Sequence, residues 1–354
     1  MRAILGKSFL MLGLLMLFAL LLFGCAPTPA VDEPTEPAVE EEETVTAADT
    51  IKFAAVMPGS IQDADYNTLG FLAVQDLGSE FGVSTSYSER VAVPDAGRVM
   101  SEYIDDGFNV IWVHGSQFND TALDLGANNP DVIFIIEVDA QPAQTLPNFW
   151  YLDRNFYTGF YVLGAAAALT TESGHIGYIG GVELPFTRAE LNAMQQAIDD
   201  LESSATIQYL YVGDFNDPLE ARRSAESLIA RGVDVIVSSV NLGNYGIFTA
   251  AQEAGQPVLV TTKYTDKSTH APQNYLTTDL FNFSAPLIEI VDRIIGGEVG
   301  GYLKLEYGEG KPRATQFPLL NVSDEISAQV RQIFDQVASG EITVIQKMDA
   351  IEVR

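Results

Sequence analysis

The sequence predicts an α/β protein of two lobes, each built on a parallel sheet, facing one another across a cleft. Three observations carry that expectation. Short runs rich in β-branched and apolar residues alternate with segments of helical period, the order that joins parallel strands through crossover helices. The strand runs are apolar throughout rather than at every second residue, as strands covered on both faces are. The chain also repeats itself after 125 positions: Arg98, Ile104, Gly107, Val110 and Ile111 fall on Arg223, Ile229, Gly232, Val235 and Ile236, so that AGRVMSEYIDDGFNVIWV lies over ARRSAESLIARGVDVIVS without a gap. Two copies at so long a period mean two lobes in tandem, since a solenoid needs more copies at a shorter one.

The 354 residues begin with Arg2 and Lys7, an apolar run over 9–23 that is short for a bilayer span, and then Leu22-Phe23-Gly24-Cys25. Residues 1–24 are therefore expected to be an export signal. Residues 25–50 carry Pro27, Pro29, Pro34, Pro37 and eight acidic side chains. Such a stretch cannot bury apolar surface, and its like charges extend it into a tether. A strand over 51–57 is stopped by Pro58-Gly59, and Leu69, Leu72, Ala73 and Leu77 mark the helix that follows. Strands are then expected at 84–87, 110–113 and 132–138, with helices at 98–106 and 121–128 between them. The second lobe repeats the pattern, with a further strand over 258–262. The lobes are expected at 51–152 with about 281–318, and at 153–280 with about 319–354.

Composition removes several function classes. Lys and Arg number 19 against 48 Asp and Glu, a net charge of −29, and 47% of residues are hydrophobic, enough for a large core. Setting aside the two cations of the signal and the eight acids of the tether leaves −23 on residues 51–354. A nucleic-acid backbone would be repelled by that field, and no Lys/Arg cluster offsets it, so no nucleic acid is expected as partner. The same field disfavours anionic ligands. One cysteine and three scattered histidines leave no disulfide and no metal site to expect. Gly177-Tyr178-Ile179-Gly180-Gly181 lies within a strand and lacks dinucleotide spacing, and neither G-x-S-x-G nor a P-loop is present. No catalytic residue and no cofactor are expected, and the protein is not expected to be an enzyme.

In open parallel sheets ligands bind beyond the carboxyl ends of the strands. Two such lobes share one cleft, which closes around a solute by hinge bending. Four segments carry a more particular likeness: DADYNTLGF from Asp63, GFNVIWVHGSQFNDTALDLGANNPDVIF from Gly107, YVLGAAAALTTESGHIGYIGGVELPF from Tyr161, and GDFNDPLEARRSAESLIARGVDVI from Gly213. In this order and spacing they make residues 51 to about 305 resemble the basic membrane protein family of ABC-transporter substrate-binding lipoproteins, whose best understood members bind purine nucleosides. The chain departs from the family where Thr261-Thr262-Lys263-Tyr264-Thr265-Asp266 replaces a frequent Gly-x-Asp, and the likeness fades beyond Lys304. The resemblance implies a type I periplasmic-binding-protein fold of Rossmann-like lobes and a nucleoside or nucleobase ligand. It implies an ABC permease and its ATPase as partners of a monomer. The run ending at Cys25 resembles a lipobox, which implies diacylation of Cys25 and anchoring on the extracytoplasmic side of the cell membrane. A sensory receptor of the same fold, or a secreted nucleoside-processing enzyme, are the alternatives.

The candidate ligand contacts follow predicted strands. Tyr66, Phe118, Phe186 and Phe215 offer faces for a purine, with about 0.5–1.5 kcal/mol per aromatic pair beyond area burial. Tyr66 and Phe215 fall where the family carries ligand-facing aromatics, whereas Phe118 and Phe186 suit packing beneath their loops equally well. Asp63, Asn67, Asp217, Asn241 and Asp266 bring donors and acceptors for base edges and hydroxyls. Asp217-Pro218 also has the form of a helix N-cap. Lys263 with Asp279 is either a pair of ribose contacts or a surface ion pair worth under about 1 kcal/mol.

Overall fold

The structure, a computed structural model, describes residues 48–354; the signal, Cys25 and all but the end of the tether lie outside the described residues. The first sheet takes its strands from β1 (Lys52–Val56), β2 (Ser84–Ser88), β3 (Val110–Val113), β4 (Ile133–Val138), β5 (Phe149–Asp153) and β11 (Gly301–Lys304), in the order β11-β5-β4-β3-β1-β2. The second takes β6 (His175–Gly180), β7 (Thr206–Tyr211), β8 (Val235–Ser239), β9 (Leu259–Tyr264), β10 (Tyr275–Phe281) and β12 (Arg313–Thr315), in the order β12-β10-β9-β8-β6-β7. The two orders superimpose element for element, with β3 matching β8, which is the equivalence the 125-residue repeat requires.

The repeat has a local physical basis. In each lobe a helix, α2 (Ala96–Asp105) or α6 (Pro218–Ala230), turns into the next strand through a glycine in the left-handed region, Gly107 at φ 81° and Gly232 at φ 92°. A side chain at φ > 0 is costly, so both copies keep glycine where helix must become strand. β3 and β8 are buried at every residue, as strands covered by helices on both faces must be. On the first lobe α1 (Tyr66–Phe81) packs against α8 (Ser284–Ile295), and on the second α4 (Phe156–Thr170) packs against α5 (Pro185–Asp200) and α9 (Asp324–Ala338). The C-terminal residues run along α5, where Asn192 Nδ2 donates to the carbonyls of Lys347 and Ala350 at 2.9 and 2.6 Å. Among the described residues no helix is long and apolar enough to cross a membrane.

The chain passes between lobes three times: after β5, after β10 and after β11. These crossings are bonded to one another. Leu305 N–H donates to the Asp153 carbonyl at 2.8 Å, Asn155 Nδ2 to the Leu305 carbonyl at 3.0 Å, and Asn282 N–H to the Pro312 carbonyl at 2.8 Å. Beneath them lies Arg313, fully buried, donating to the carbonyls of Arg154, Asn155 and Phe156 and paired with Asp279. The third crossing corrects the expected boundary near 318: β12 already pairs antiparallel with β10, so the chain has rejoined the second sheet by Arg313. Three residues of edge strand carry too little periodicity to be read from sequence.

Candidate functional site

A cavity of about 330 Å³ lies where the carboxyl ends of the two sheets meet. The first lobe lines it with Pro58 and Gly59 after β1, Tyr66 and Asn67 at the start of α1, and Ser116 and Gln117 after β3. Leu184 and Phe186 follow β6, Asp214, Phe215 and Asn216 follow β7, Asn241 follows β8, and Tyr264 ends β9. Arg154 enters from the first crossing. A larger hollow of about 870 Å³ sits at the amino ends of β6, β8 and β9, bounded by the second lobe alone. Its position is opposite to where parallel sheets bind ligands, so the interlobe cavity is the candidate site.

The loop before α1 holds the first wall. Asp63 accepts the N–H groups of Asp65, Asn67 and Thr68 and the side chains of Asn67 and Thr68, all between 2.7 and 3.1 Å. Asn67 in turn accepts the Gly59 N–H at 3.0 Å. A Cβ on Gly59 would lie 2.4 Å from Asn67 Nδ2, so only glycine allows this closure. Asp63 is therefore a loop brace, 1% exposed and outside the cavity lining, while Asn67 reaches the cavity with part of its amide already engaged.

Behind Tyr66 is a buried polar cluster. Its ring stacks on His114 at 3.8 Å and 14°, and its hydroxyl donates to Glu137. His114 Nδ1 lies 2.6 Å from Glu137 Oε1 and Nε2 lies 2.9 Å from the Tyr66 carbonyl, which places an oxygen acceptor at each ring nitrogen. Burial, reinforced by the Glu137 charge, pushes the Tyr66 hydroxyl well above its ordinary pKa, so it stays a donor. Arg154 completes the cluster with a forked contact to Asp139, Nε at 3.0 Å and Nη2 at 2.6 Å, and its guanidinium sits over the rings of Phe156 and Phe186 at 4.7 and 5.1 Å. Burial opposes its charge, but Asp139, Tyr66 and Glu137 hold its pKa above the ordinary arginine value.

The second wall is aromatic. Phe186 and Phe215 are nearly parallel, 17° apart with centroids at 6.3 Å. A base held between two rings needs roughly 7 Å, twice the carbon–carbon contact distance. The two phenylalanines thus form one continuous wall, not a clamp with a base inside it. Phe215 leans on the backbone of Gly181, where a Cβ would come 2.2 Å from its Cδ1. Tyr264 presents its ring from a backbone φ of 78°, a strained setting for a bulky residue at about 1–3 kcal/mol. The Asn241 N–H donates to the Phe215 carbonyl at 2.8 Å, while its side-chain Oδ1 is buried and has no hydrogen-bond partner among the described residues. An unpartnered buried amide oxygen on a residue that lines the cavity is a candidate ligand contact.

Of the residues singled out from sequence, Tyr66, Asn67, Phe186, Phe215 and Asn241 come together here, and six do not. Phe118 is fully buried in the first lobe's core with Val113, Phe134 and Ile136. Asp217 caps α6, accepting from Leu219 and Glu220 N–H at 3.0 Å each. Asp266 is exposed and accepts the Ser268 N–H at 2.8 Å; against a little desolvation, hydrogen bonds led by Ser268 hold its carboxyl below the usual range. Lys263 and Asp279 are not a surface pair: both are wholly buried outside the cavity lining, Lys263 bonded to Glu190 at 3.1 Å and Asp279 to Arg313. Burial lowers the Lys263 pKa despite Glu190 and raises that of Asp279 to about 6 despite Arg313. Arg154, Tyr264 and the His114–Glu137 pair were not anticipated. At the edge of the cleft Asp65 of the first lobe meets Lys267 and, at 3.1 Å, Thr265 Oγ1 of the second.

Two like lobes, three bonded crossings and a polar, aromatic-walled cavity between them define a two-lobed solute-binding architecture. The family described as ABC transporter substrate-binding protein, PnrA-like, matches residues 50–309, and the chain belongs to that family. It is 26% identical over 249 residues to basic membrane protein B of Borrelia garinii, covering 68% of this chain and 72% of that one. It is also 26% identical over 308 residues to a Haloferax volcanii protein provisionally named an ABC transporter glucose-binding protein, covering 84% and 74%. The fold matches a solute-binding protein of an ABC transporter system from Aeropyrum pernix with a TM-score of 0.71 at 17% identity, over 84% of this chain and 94% of that one.

Proposed function

We propose that the protein binds a purine nucleoside or nucleobase in the interlobe cavity and delivers it to an ABC permease and its ATPase. In this reading it acts as a monomer, exported by its N-terminal segment and held on the outer face of the cell membrane through acylated Cys25. The step is capture and release without chemistry on the ligand. One observation carries the ligand class: a continuous aromatic wall, Phe186 and Phe215, faces a cavity of about 330 Å³ whose edge holds an unengaged amide at Asn241. That volume falls at the small end of ligand pockets and suits one planar base with its sugar. A flat heterocycle gains from the wall, and its polar edge satisfies the amide.

A monosaccharide is the second reading, favoured by the name of the Haloferax relative. Titration calorimetry with adenosine, guanosine, inosine, ribose and glucose separates the two. Tight binding of the nucleosides, with ribose and glucose weak, supports the first reading; binding of glucose alone overturns it. Scattering at saturation should show a smaller radius of gyration as the lobes close.

A further inference from the structure

We infer that Arg154 sets which polar edge the ligand must present: its Nη1 donates into the cavity and selects an acceptor oxygen, which among purine nucleosides favours 6-oxo over 6-amino bases. The inference rests on the nucleoside reading above and goes beyond it to a specificity-determining residue.

The arginine is immobilised by everything except the atom in question. Nε and Nη2 are held by both oxygens of Asp139, Nη2 also lies 3.4 Å from Ser116 Oγ, and the side chain is 5% exposed. Nη1 stands 3.6 Å from Glu137 Oε2, beyond a hydrogen bond, and finds no acceptor among the described residues. Swinging it away would break the fork with Asp139, so Nη1 stays where the cavity wall places it. A guanidinium is a donor only, and it does not lose its charge in proteins.

Three neighbouring polar groups of the wall supply no such fixed charged donor. Asn241 Oδ1 has no hydrogen-bond partner among the described residues, and an amide can turn to offer donor or acceptor first. Asn67 is fixed by Asp63 and Gly59. The Tyr66 hydroxyl is given to Glu137. Among the described residues Arg154 is the one cation of the cavity lining and Asp214, exposed at its rim, the one carboxylate, so Arg154 is the fixed donor that a ligand's acceptor edge meets. With Nε and Nη2 committed to Asp139, Nη1 makes a single contact; N7 accepts in either purine, and the 6-oxo base differs by offering O6 as an acceptor beside it. A 6-aminopurine turns an N–H₂ donor to the same place, which sets donor against donor in a desolvated site. The resulting preference is about tenfold to a hundredfold.

The test is titration calorimetry of the full chain against inosine, guanosine, adenosine and purine riboside, which lacks any 6-substituent. The wild type should bind inosine and guanosine at least about tenfold more tightly than adenosine, with purine riboside between. Arg154→Lys keeps a cation opposite Asp139 and Glu137 but gives up the Nη1 donor, and it should bring the inosine-to-adenosine ratio close to one. A purely structural role would weaken all four ligands together and leave the ratio alone. Should Arg154→Lys fail to fold, the wild-type order of the four ligands still decides. Adenosine binding as tightly as inosine, or an unchanged ratio in a folded Arg154→Lys protein, overturns the inference and leaves the nucleoside reading standing. A wild type that binds none of the four overturns both.

Discussion

Asp65→Asn should change the pH dependence of stability in a direction fixed by burial. Asp65 belongs to the first lobe and its partners Lys267 and Thr265 to the second, so the carboxyl is enclosed only where the lobes meet. One oxygen, Oδ2, has no hydrogen-bond partner among the described residues. Burial raises the Asp65 pKa from 3.8 to about 7, more than the attraction of Lys267 lowers it. The folded state therefore holds a proton that the unfolded chain has released between about pH 4 and 7. The stability contributed by Asp65 is complete below the unfolded pKa and lost as pH rises through the folded one, at no more than about 1.4 kcal/mol per pH unit. Between pH 5 and 7 this amounts to at most roughly 3 kcal/mol. Asparagine keeps the shape without the titration. Urea unfolding of both proteins at half-unit steps from pH 4.5 to 8.5 gives the difference, variant minus wild type, in which the other carboxyls cancel, Asp279 included. That difference should climb from pH 5 to 7 and level off above 8. A flat difference, or one that falls with pH, would show that Lys267 keeps Asp65 ionised and would refute the argument from burial.

Phe215→Ala should weaken adenosine, guanosine and inosine by a similar factor, about two- to tenfold, because every purine presents the same kind of face to the wall; calorimetric affinities equal to the parent's would make Phe215 a packing residue. Gly159→Ala would put a Cβ 2.5 Å from Arg313 Nη2 and Asp279 Oδ2, the pair beneath the crossings. It should cost about 1–3 kcal/mol in urea unfolding through overpacking, and an unchanged midpoint would mean that the pair shifts freely.

The architecture was legible because it repeats. Helices α2 and α6 and strands β3 and β8 share a period, an apolar run and a turn glycine, all of which are local properties. Five aromatic and amide residues of the cavity were legible too, since Tyr66, Asn67, Phe186, Phe215 and Asn241 all follow strands of a parallel sheet, whereas Tyr264, Gln117 and Asn216 were not singled out. The carboxylates were not. Asp63, Asp217 and Asp266 are the same residue type in the same loops as a ligand contact, but each accepts backbone N–H groups within a few positions of itself. Lys263 and Asp279 find their partners 73 and 34 positions away, where sequence shows no pairing. The His114 pairing was hidden for the same reason: Glu137 sits 23 positions on, on the adjacent strand β4. Arg154 directly follows a strand, where a charge ordinarily meets solvent. Its burial becomes visible only once β4 and β5 bring Asp139 beside it.

The most direct measurement is mass spectrometry of the small molecules that leave the protein on denaturation after purification without added ligand. A bound purine nucleoside or nucleobase, at close to one per chain, is the predicted result. A sugar in that place, or a ligand of another class at the same stoichiometry, would contradict the account.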